Sequence, residues 1–443
     1  MPAKSAIYLD SNAGIPLLPA VKQALLAYLS QEGEEFPYNP SSPHSFGQKT
    51  KRVLEASRRQ VLASLLSESG CRNPVWNHPS SLVFTGSGTE ANQWVIRSVL
   101  EKSLAQRAPK THWITTSAEH DSVLQMIPWA RSRGVQVTVL PVNSQGQPDE
   151  KIYHEAIKDA PALVSLLYIN NETGVILQNP SEPETFHGKE ISVSSSISEW
   201  VHSAQQVGAL VHLDAAQAWG KYPLELDILG ADIVTFSSHK IGALAGSGAI
   251  WLSPRWAKGP DAFTGSLILG KAEGGRRGGT PSVIAALAMG VAAESKARAM
   301  ATTQKELELL RDQFEALVRL RFGHRARING ERAKRVGTTS NITFLNTDGH
   351  GLIAALDLEG YAVSSGSACS SGTLEPSHVL LAMGLSEAEA RASIRVSFSE
   401  QTLQLYRENS QWLLHFVETL DRVTTKMALS HSRDTQHGRL KHL

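Results

Sequence analysis

The sequence predicts an α/β fold, with a mostly parallel sheet in a first domain and a smaller α+β domain after it. Two observations predict it. Short apolar runs of strand length alternate with amphipathic stretches of helix length through roughly the first 280 residues. Beyond that point one long helical stretch, 283–320, is followed by further short strand and helix candidates. No internal repeat or long low-complexity segment interrupts the pattern.

The elements follow in order. Strand candidates are 81–84 (SLVF), 113–116 (WITT), 135–140 (VQVTVL), 162–168, 210–213 (LVHL) and 233–236 (IVTF), and 90–104 reads as one of the intervening helices. In sheets of this type the ligand lies beyond the carboxyl ends of the strands, so the polar residues just after each run are the ones to examine. The segment 179–196, rich in Pro, Ser and Glu, reads as an exposed loop, and 428–443 as a polar, frayed tail.

Composition narrows the function. The chain has 443 residues, 41% hydrophobic and 19% charged, with net charge +1 from 43 basic and 42 acidic residues. That balance asks for neither nucleic acid nor an anionic membrane. The start, MPAKSAIYLDSNAG, carries no secretory pattern, and no apolar run approaches the ~18 residues that span a bilayer. The two cysteines, Cys71 and Cys369, build neither a disulfide framework nor a cysteine-rich zinc site. A cytoplasmic location with reduced thiols is expected, and any cysteine chemistry must rest on a single thiol.

Six places carry candidate chemistry. Asp214 follows the run 210–213; a buried carboxylate there needs a cation, such as a protonated ring nitrogen, or else serves as a helix N-cap. Lys240, in Ser237-Ser238-His239-Lys240, follows the next run; desolvated in a cleft it becomes a nucleophile able to form a Schiff base, and otherwise it is a surface lysine. Thr85-Gly86-Ser87-Gly88-Thr89-Glu90-Ala91 joins a strand to a helix and suits an anion, or is an ordinary tight turn. His120, after Glu119, could stack on an aromatic cofactor, shuttle protons or cap a helix. Cys369 sits in the small, polar stretch Ser364-Ser365-Gly366-Ser367-Ala368-Cys369-Ser370-Ser371-Gly372, a loop composition that suits a reactive thiolate better than a core residue. Arg395, on the alternating run 393–398, could grip a carboxylate or form a surface ion pair.

Taken together these segments resemble the cysteine desulfurases, the NifS/IscS-like branch of the fold-type I pyridoxal-phosphate enzymes. The resemblance runs from Tyr8-Leu9-Asp10 to about Gln401. It is carried, in order, by Asn39-Pro40-Ser41-Ser42, Ser87-Gly88-Thr89-Glu90-Ala91-Asn92, Glu119-His120, Asn170-Asn171-Glu172-Thr173-Gly174 and Asp214-Ala215-Ala216-Gln217. Ser237-Ser238-His239-Lys240, Arg277-Gly278-Gly279-Thr280, the Cys369 loop and Glu375-Pro376-Ser377-His378-Val379-Leu380 complete the series.

The resemblance implies a large domain, 16–280, on a mostly parallel seven-stranded sheet, and a small α+β domain, 1–15 and 281–427, bearing the Cys369 loop. It implies that Lys240 holds pyridoxal 5'-phosphate as a Schiff base, that Asp214 pairs with the ring nitrogen, that Gln217 bonds the ring oxygen and that His120 stacks on the ring. Gly88, Thr89, Ser237 and His239 would hold the phosphate, and Thr280 would reach the phosphate site of a second subunit in a homodimer. Arg395, with Asn39 and Asn171, would bind the carboxylate of L-cysteine. Lys240 would move the Cα proton, and Cys369 would take the sulfur as a persulfide, release alanine and pass the sulfur to an acceptor protein such as an iron–sulfur scaffold. The long form of the Cys369 loop favours direct transfer to that partner. The sequence departs from the family at Ala243-Leu244-Ala245-Gly246, at Ala13-Gly14-Ile15-Pro16 and in the long 179–196 segment. Selenocysteine lyase, another pyridoxal-phosphate lyase or aminotransferase, and a non-catalytic scaffold are the alternatives on the same fold.

Overall fold

A computed structural model describes residues 6–30, 38–106, 111–177, 194–257, 267–365 and 375–440. Its strands are β1 (Ile7–Tyr8), β2 (Leu82–Thr85), β3 (His112–Thr116), β4 (Gln136–Leu140), β5 (Leu163–Leu167), β6 (Leu210–Asp214), β7 (Ile233–Ser237), β8 (Gly248–Leu252), β9 (Ala326–Ile328), β10 (Thr339–Phe344), β11 (Tyr361–Ala362) and β12 (Ser393–Ser397). Seven of them form one sheet in the order β2-β8-β7-β6-β5-β3-β4. The β3–β4, β3–β5, β5–β6 and β6–β7 pairs are parallel, and only β8 runs against its neighbours. The central strands β5, β6 and β7 are buried along their whole length, which is why they read as continuous apolar runs.

The expected α/β architecture is therefore present, with each foreseen strand within two residues of its reading. Strand β8 is an addition: the turn around Gly242 and Gly246 reverses the chain, so 248–252 (GAIWL) pairs antiparallel to β7 rather than crossing over. The expected loop 179–196 lies largely outside the described residues, as does Cys369. Of the stretch 428–443, read as a frayed tail, residues 428–440 lie in the helix Gln411–Leu440.

The helix Val283–Phe322 joins two cores. Its first part, with Val283, Ala286, Met289 and Ala293, packs into the core beneath the large sheet. Its last part, with Leu307, Phe314 and Phe322, packs with Ile342, Ile394 and Phe416 around the antiparallel sheet β12-β10-β9. Gly290 permits close approach to the helix Ser45–Ala63, because a Cβ there would lie 2.9 Å from the Ser57 Cα. The N-terminal strand β1 pairs with β11 in the second region, and the chain then turns back toward the large sheet at Asn12. Among the described residues no helix is long and apolar enough to cross a membrane.

Candidate active site

A cavity of about 240 Å³ opens at the carboxyl ends of the parallel strands, between the two cores. It is lined by Gly88, Thr89, His120, Asn171, Asp214, Gln217, Ser237, His239, Lys240 and Arg395. Ten of the thirteen residues expected from the sequence are thus brought together. Asn39 and Thr280 are exposed and do not line this cavity, and Cys369 lies outside the described residues.

Asp214 is the last residue of β6 and is buried. Its carboxylate accepts from the Asn92 amide at 2.6 Å and from the Ala216 N–H at 3.0 Å. A cation facing the cavity is the natural complement of this buried carboxylate. Asn92 is itself braced: its amide also donates to Ser122 Oγ at 2.8 Å, and its Oδ1 accepts from Thr235 Oγ1 at 2.5 Å. Thr235, having given its proton to Asn92, accepts from His212 Nε2 at 2.9 Å, which leaves His212 Nδ1 to accept from Ser165 at 2.8 Å. His212 is therefore neutral, consistent with burial lowering its pKa to about 4 against a smaller opposing pull from Asp214.

The other strand ends carry the rest. Past Ser237, a single helical turn, Ser238–Ile241, swings Lys240 inward, where its Nζ donates to the carbonyls of Asn12 at 2.6 Å and Ala13 at 3.0 Å. Gly242 closes that turn at φ 80°, and a Cβ there would strike Leu18 at 2.7 Å. His239 Nδ1 meets Ser237 Oγ at 3.0 Å; burial first, then Lys240, Lys221 and His120, lower its pKa to about 4.

Ser87 caps the helix Gly88–Ala105 by accepting from the Glu90 N–H at 3.0 Å, and the helix N-terminus faces the cavity at Gly88 and Thr89. Gly88 has no side chain to spare, since a Cβ would lie 3.0 Å from Ser237 Cβ. Glu90 pairs with Arg277 at 2.6 Å, which tethers the 277–280 segment beside this turn. His120 caps the next short helix, its Nδ1 accepting from the Ser122 N–H at 3.1 Å, so the ring is held at the cavity edge.

On the facing wall Arg395 of β12 is 2% exposed and binds Asp10 Oδ1 at 2.7 Å and the Asn171 carbonyl at 2.9 Å. Asn171 Oδ1 is buried with no hydrogen-bond partner among the described residues, an open valence at the cavity.

Several participants escaped the sequence reading as site residues. Asn12 supplies the carbonyl under Lys240, and Asn92 lies one helical turn beyond Gly88 in a motif noted only for its phosphate end. Glu172 and His378 also line the cavity. Burial raises the Glu172 carboxyl, against the pull of Ser377, His378 and Arg395; Ser377 Oγ donates to it at 2.5 Å. Glu119, accepting from Thr116 Oγ1 at 2.8 Å and the Leu167 N–H at 2.9 Å, is pushed by burial up to about 8 and is therefore largely protonated at neutral pH.

The donor set reads as one ligand's outline. Helix-terminal N–H groups with Ser237 and His239 suit a phosphate, Asp214 a protonated ring nitrogen, Lys240 a carbonyl carbon, and Arg395 a carboxylate once Asp10 yields part of its hold.

Comparison with known proteins agrees with this outline. The family model "Aminotransferase class-V" matches residues 7–404. A cysteine desulfurase of Nostoc sp. is 36% identical over 400 residues, covering 90% of each chain. Among solved structures, a NifS-like protein from Rickettsia africae superposes with a TM-score of 0.73 at 26% identity, covering 94% of this chain and 99% of its own. A structure described as SspA in complex with cysteine gives 0.69 at 27% identity, covering 88% and 98%.

Proposed function

The chain belongs to the class-V aminotransferase family, and from that membership we propose that it is a cysteine desulfurase that uses pyridoxal 5'-phosphate to take sulfur from L-cysteine onto Cys369, releasing L-alanine. The observation that carries the reading is the convergence of Lys240, Asp214, Gly88 and Arg395, from four separate elements, on one cavity.

When bound, pyridoxal phosphate supplies a reactive aldehyde carbon and an electron-withdrawing ring. The chain supplies the rest. Lys240 would hold that carbon and would move the proton at the substrate Cα. Asp214, held in place by Asn92 and Ala216, would hold the proton on the ring nitrogen. Gln217 would donate to the ring oxygen, and His120 would hold the ring at the cavity edge. Gly88, Thr89, Ser237 and His239 bind the phosphate. Arg395 and Asn171 orient the substrate carboxylate, with Asn39 approaching from outside the described cavity. The Cys369 thiolate bonds to the substrate sulfur as the Cβ–S bond breaks; that bond's electron pair remains with the carbon fragment, which is protonated to alanine. The persulfide then passes to an acceptor protein, an iron–sulfur scaffold being the partner this chemistry suits. Thr280, exposed beside Arg277, reaches the phosphate of a second subunit in a homodimer.

The test is to give purified protein L-cysteine and a thiol reductant, and to follow the visible spectrum, alanine and sulfide together. Alanine and sulfide in equal amounts from a yellow protein support the desulfurase. Cys369→Ala should keep the colour and lose sulfide release, and Lys240→Ala should lose the colour as well. A yellow protein that forms no alanine overturns cysteine as the substrate, and full sulfide release by Cys369→Ala overturns the persulfide.

A further inference from the structure

The buried Lys221 has no part in the mechanism above. Lys221 is 6% exposed, and its Nζ donates to Asn12 Oδ1 at 3.0 Å and Gln217 Oε1 at 2.5 Å. Gly220 makes this possible: at φ 71° it turns the chain back, and a Cβ there would meet Ile241 and Lys296 at 3.1 Å.

Both amide orientations are dictated by their other contacts. Asn12 Nδ2 donates to the Asn171 carbonyl at 3.1 Å, and Gln217 Nε2 donates to the Asn12 carbonyl at 3.0 Å. A carbonyl only accepts, so in each amide the nitrogen is committed there and the oxygen must face Lys221. Lys221 thus satisfies two buried acceptors that nothing else described satisfies. Both of its partners line the cavity, and Asn12 also carries the carbonyl on which the Lys240 amine rests at 2.6 Å.

We propose that Lys221 is a positioning residue for the reaction: by holding the oxygens of Gln217 and Asn12 it keeps the Gln217 amide presenting N–H to a ring oxygen in the cavity, and keeps the Asn12 carbonyl in place beneath Lys240. The proposal rests on the pyridoxal-phosphate reading. Without that anchor the Gln217 amide keeps only its Nε2 bond to the Asn12 carbonyl and its oxygen loses its one described donor, so its N–H is held less firmly toward an oxygen ligand. Burial first, then Lys240, Lys296 and Arg395, hold the Lys221 pKa well below the ordinary lysine value, with Glu400 opposing. Charged or neutral, its amine still donates to both oxygens.

The experiment is a double-mutant cycle on reconstituted protein: wild type, Lys221→Met, Gln217→Ala and the double variant. Two readouts are taken, the pH midpoint of the bound cofactor's visible band and the affinity for pyridoxal phosphate by equilibrium dialysis. Losing a donor to the ring oxygen and a nearby amine should raise the midpoint by about one pH unit and weaken binding about tenfold in Lys221→Met. The double variant should shift by less than the sum of the single shifts, since both act through one amide. A Lys221→Met midpoint equal to wild type, with or without a fall in melting temperature, makes the residue merely structural and overturns the proposal, as does strict additivity. If Lys221→Met does not fold, Lys221→Ser, too short to reach either oxygen, takes its place; it must raise the midpoint, and a wild-type value there is equally fatal. A wild-type protein that acquires no visible band sinks the cofactor reading itself, which is a different result from a band that Lys221 does not move.

Discussion

Asn92 has no chemistry of its own, yet its one amide meets Asp214, Ser122 and Thr235. Replacing it by Ala strands three buried polar groups, so Asn92→Ala should cost about 2–4 kcal/mol in chemical denaturation and weaken cofactor binding as well. The same network sets a pH dependence. The His212 pKa is depressed in the fold, from an ordinary 6.5 to about 4. Its neutral form therefore contributes stability that is complete above pH 6.5 and is lost as pH falls through 4. Between those pH values wild type should lose up to about 3 kcal/mol more than His212→Gln, read from denaturation midpoints. Glu119 acts in the opposite sense. Its pKa is raised, to about 8, so its contribution is complete below 4.5 and is lost as pH rises through 8. Relative to wild type, Glu119→Gln should gain stability across that higher window.

Where strands meet turns, glycine decides how closely the elements approach. Gly248 of β8 lies opposite both Thr85 and Ser237, and a Cβ there would sit 2.6 Å from the Ser87 carbonyl carbon and 2.7 Å from the Phe236 oxygen. Neither backbone atom has room to yield, so Gly248→Ala should push the Ser87–Gly88 turn out of place. The expected result is a folded protein that binds pyridoxal phosphate about tenfold more weakly, one lost charge-assisted contact in size, by fluorescence titration. These elements also separate what sequence makes legible from what it does not. The parallel strands were readable because burial on both faces favours apolar runs, and their ends then pointed to Asp214 and Lys240, while the alternation of 393–398 pointed to Arg395. Strand β8 was not readable as antiparallel, because an apolar run carries no direction; the turn at Gly242 and Gly246 supplies it. Nor were Asn12 and Lys221, whose importance lies in contacts with Lys240 and Gln217 that cross the fold.

At the scale of the whole molecule the two cores are stitched rather than merely adjacent. The helix Val283–Phe322 belongs to both, so a boundary drawn at residue 280 divides the chain but not its packing. Arg335, bridged to Val175 beside the cavity, forms a two-pronged pair with Glu315 of that helix at 2.6 and 2.8 Å, both side chains buried. Glu315→Ala would leave the guanidinium buried without its partner and should cost about 3–5 kcal/mol in thermal or chemical unfolding. With the shared helix and this pair intact, calorimetry should record one cooperative transition rather than two.

The N-terminal turn has a further consequence, for the order in which the molecule is made. Ser11 bonds the Phe398 carbonyl, Asn12 bonds Ser397, and Asn12 also carries the amine of Lys240. Ser11 and Asn12 therefore wait for partners that leave the ribosome 387 and 385 residues after them. Contacts of such long sequence separation form slowly. The large sheet can close during synthesis while its lysine still lacks the carbonyls that hold it. Catalytic competence then arrives as a single late event, after translation has passed the final strand, and a chain interrupted shortly before β12 would be largely folded yet inert.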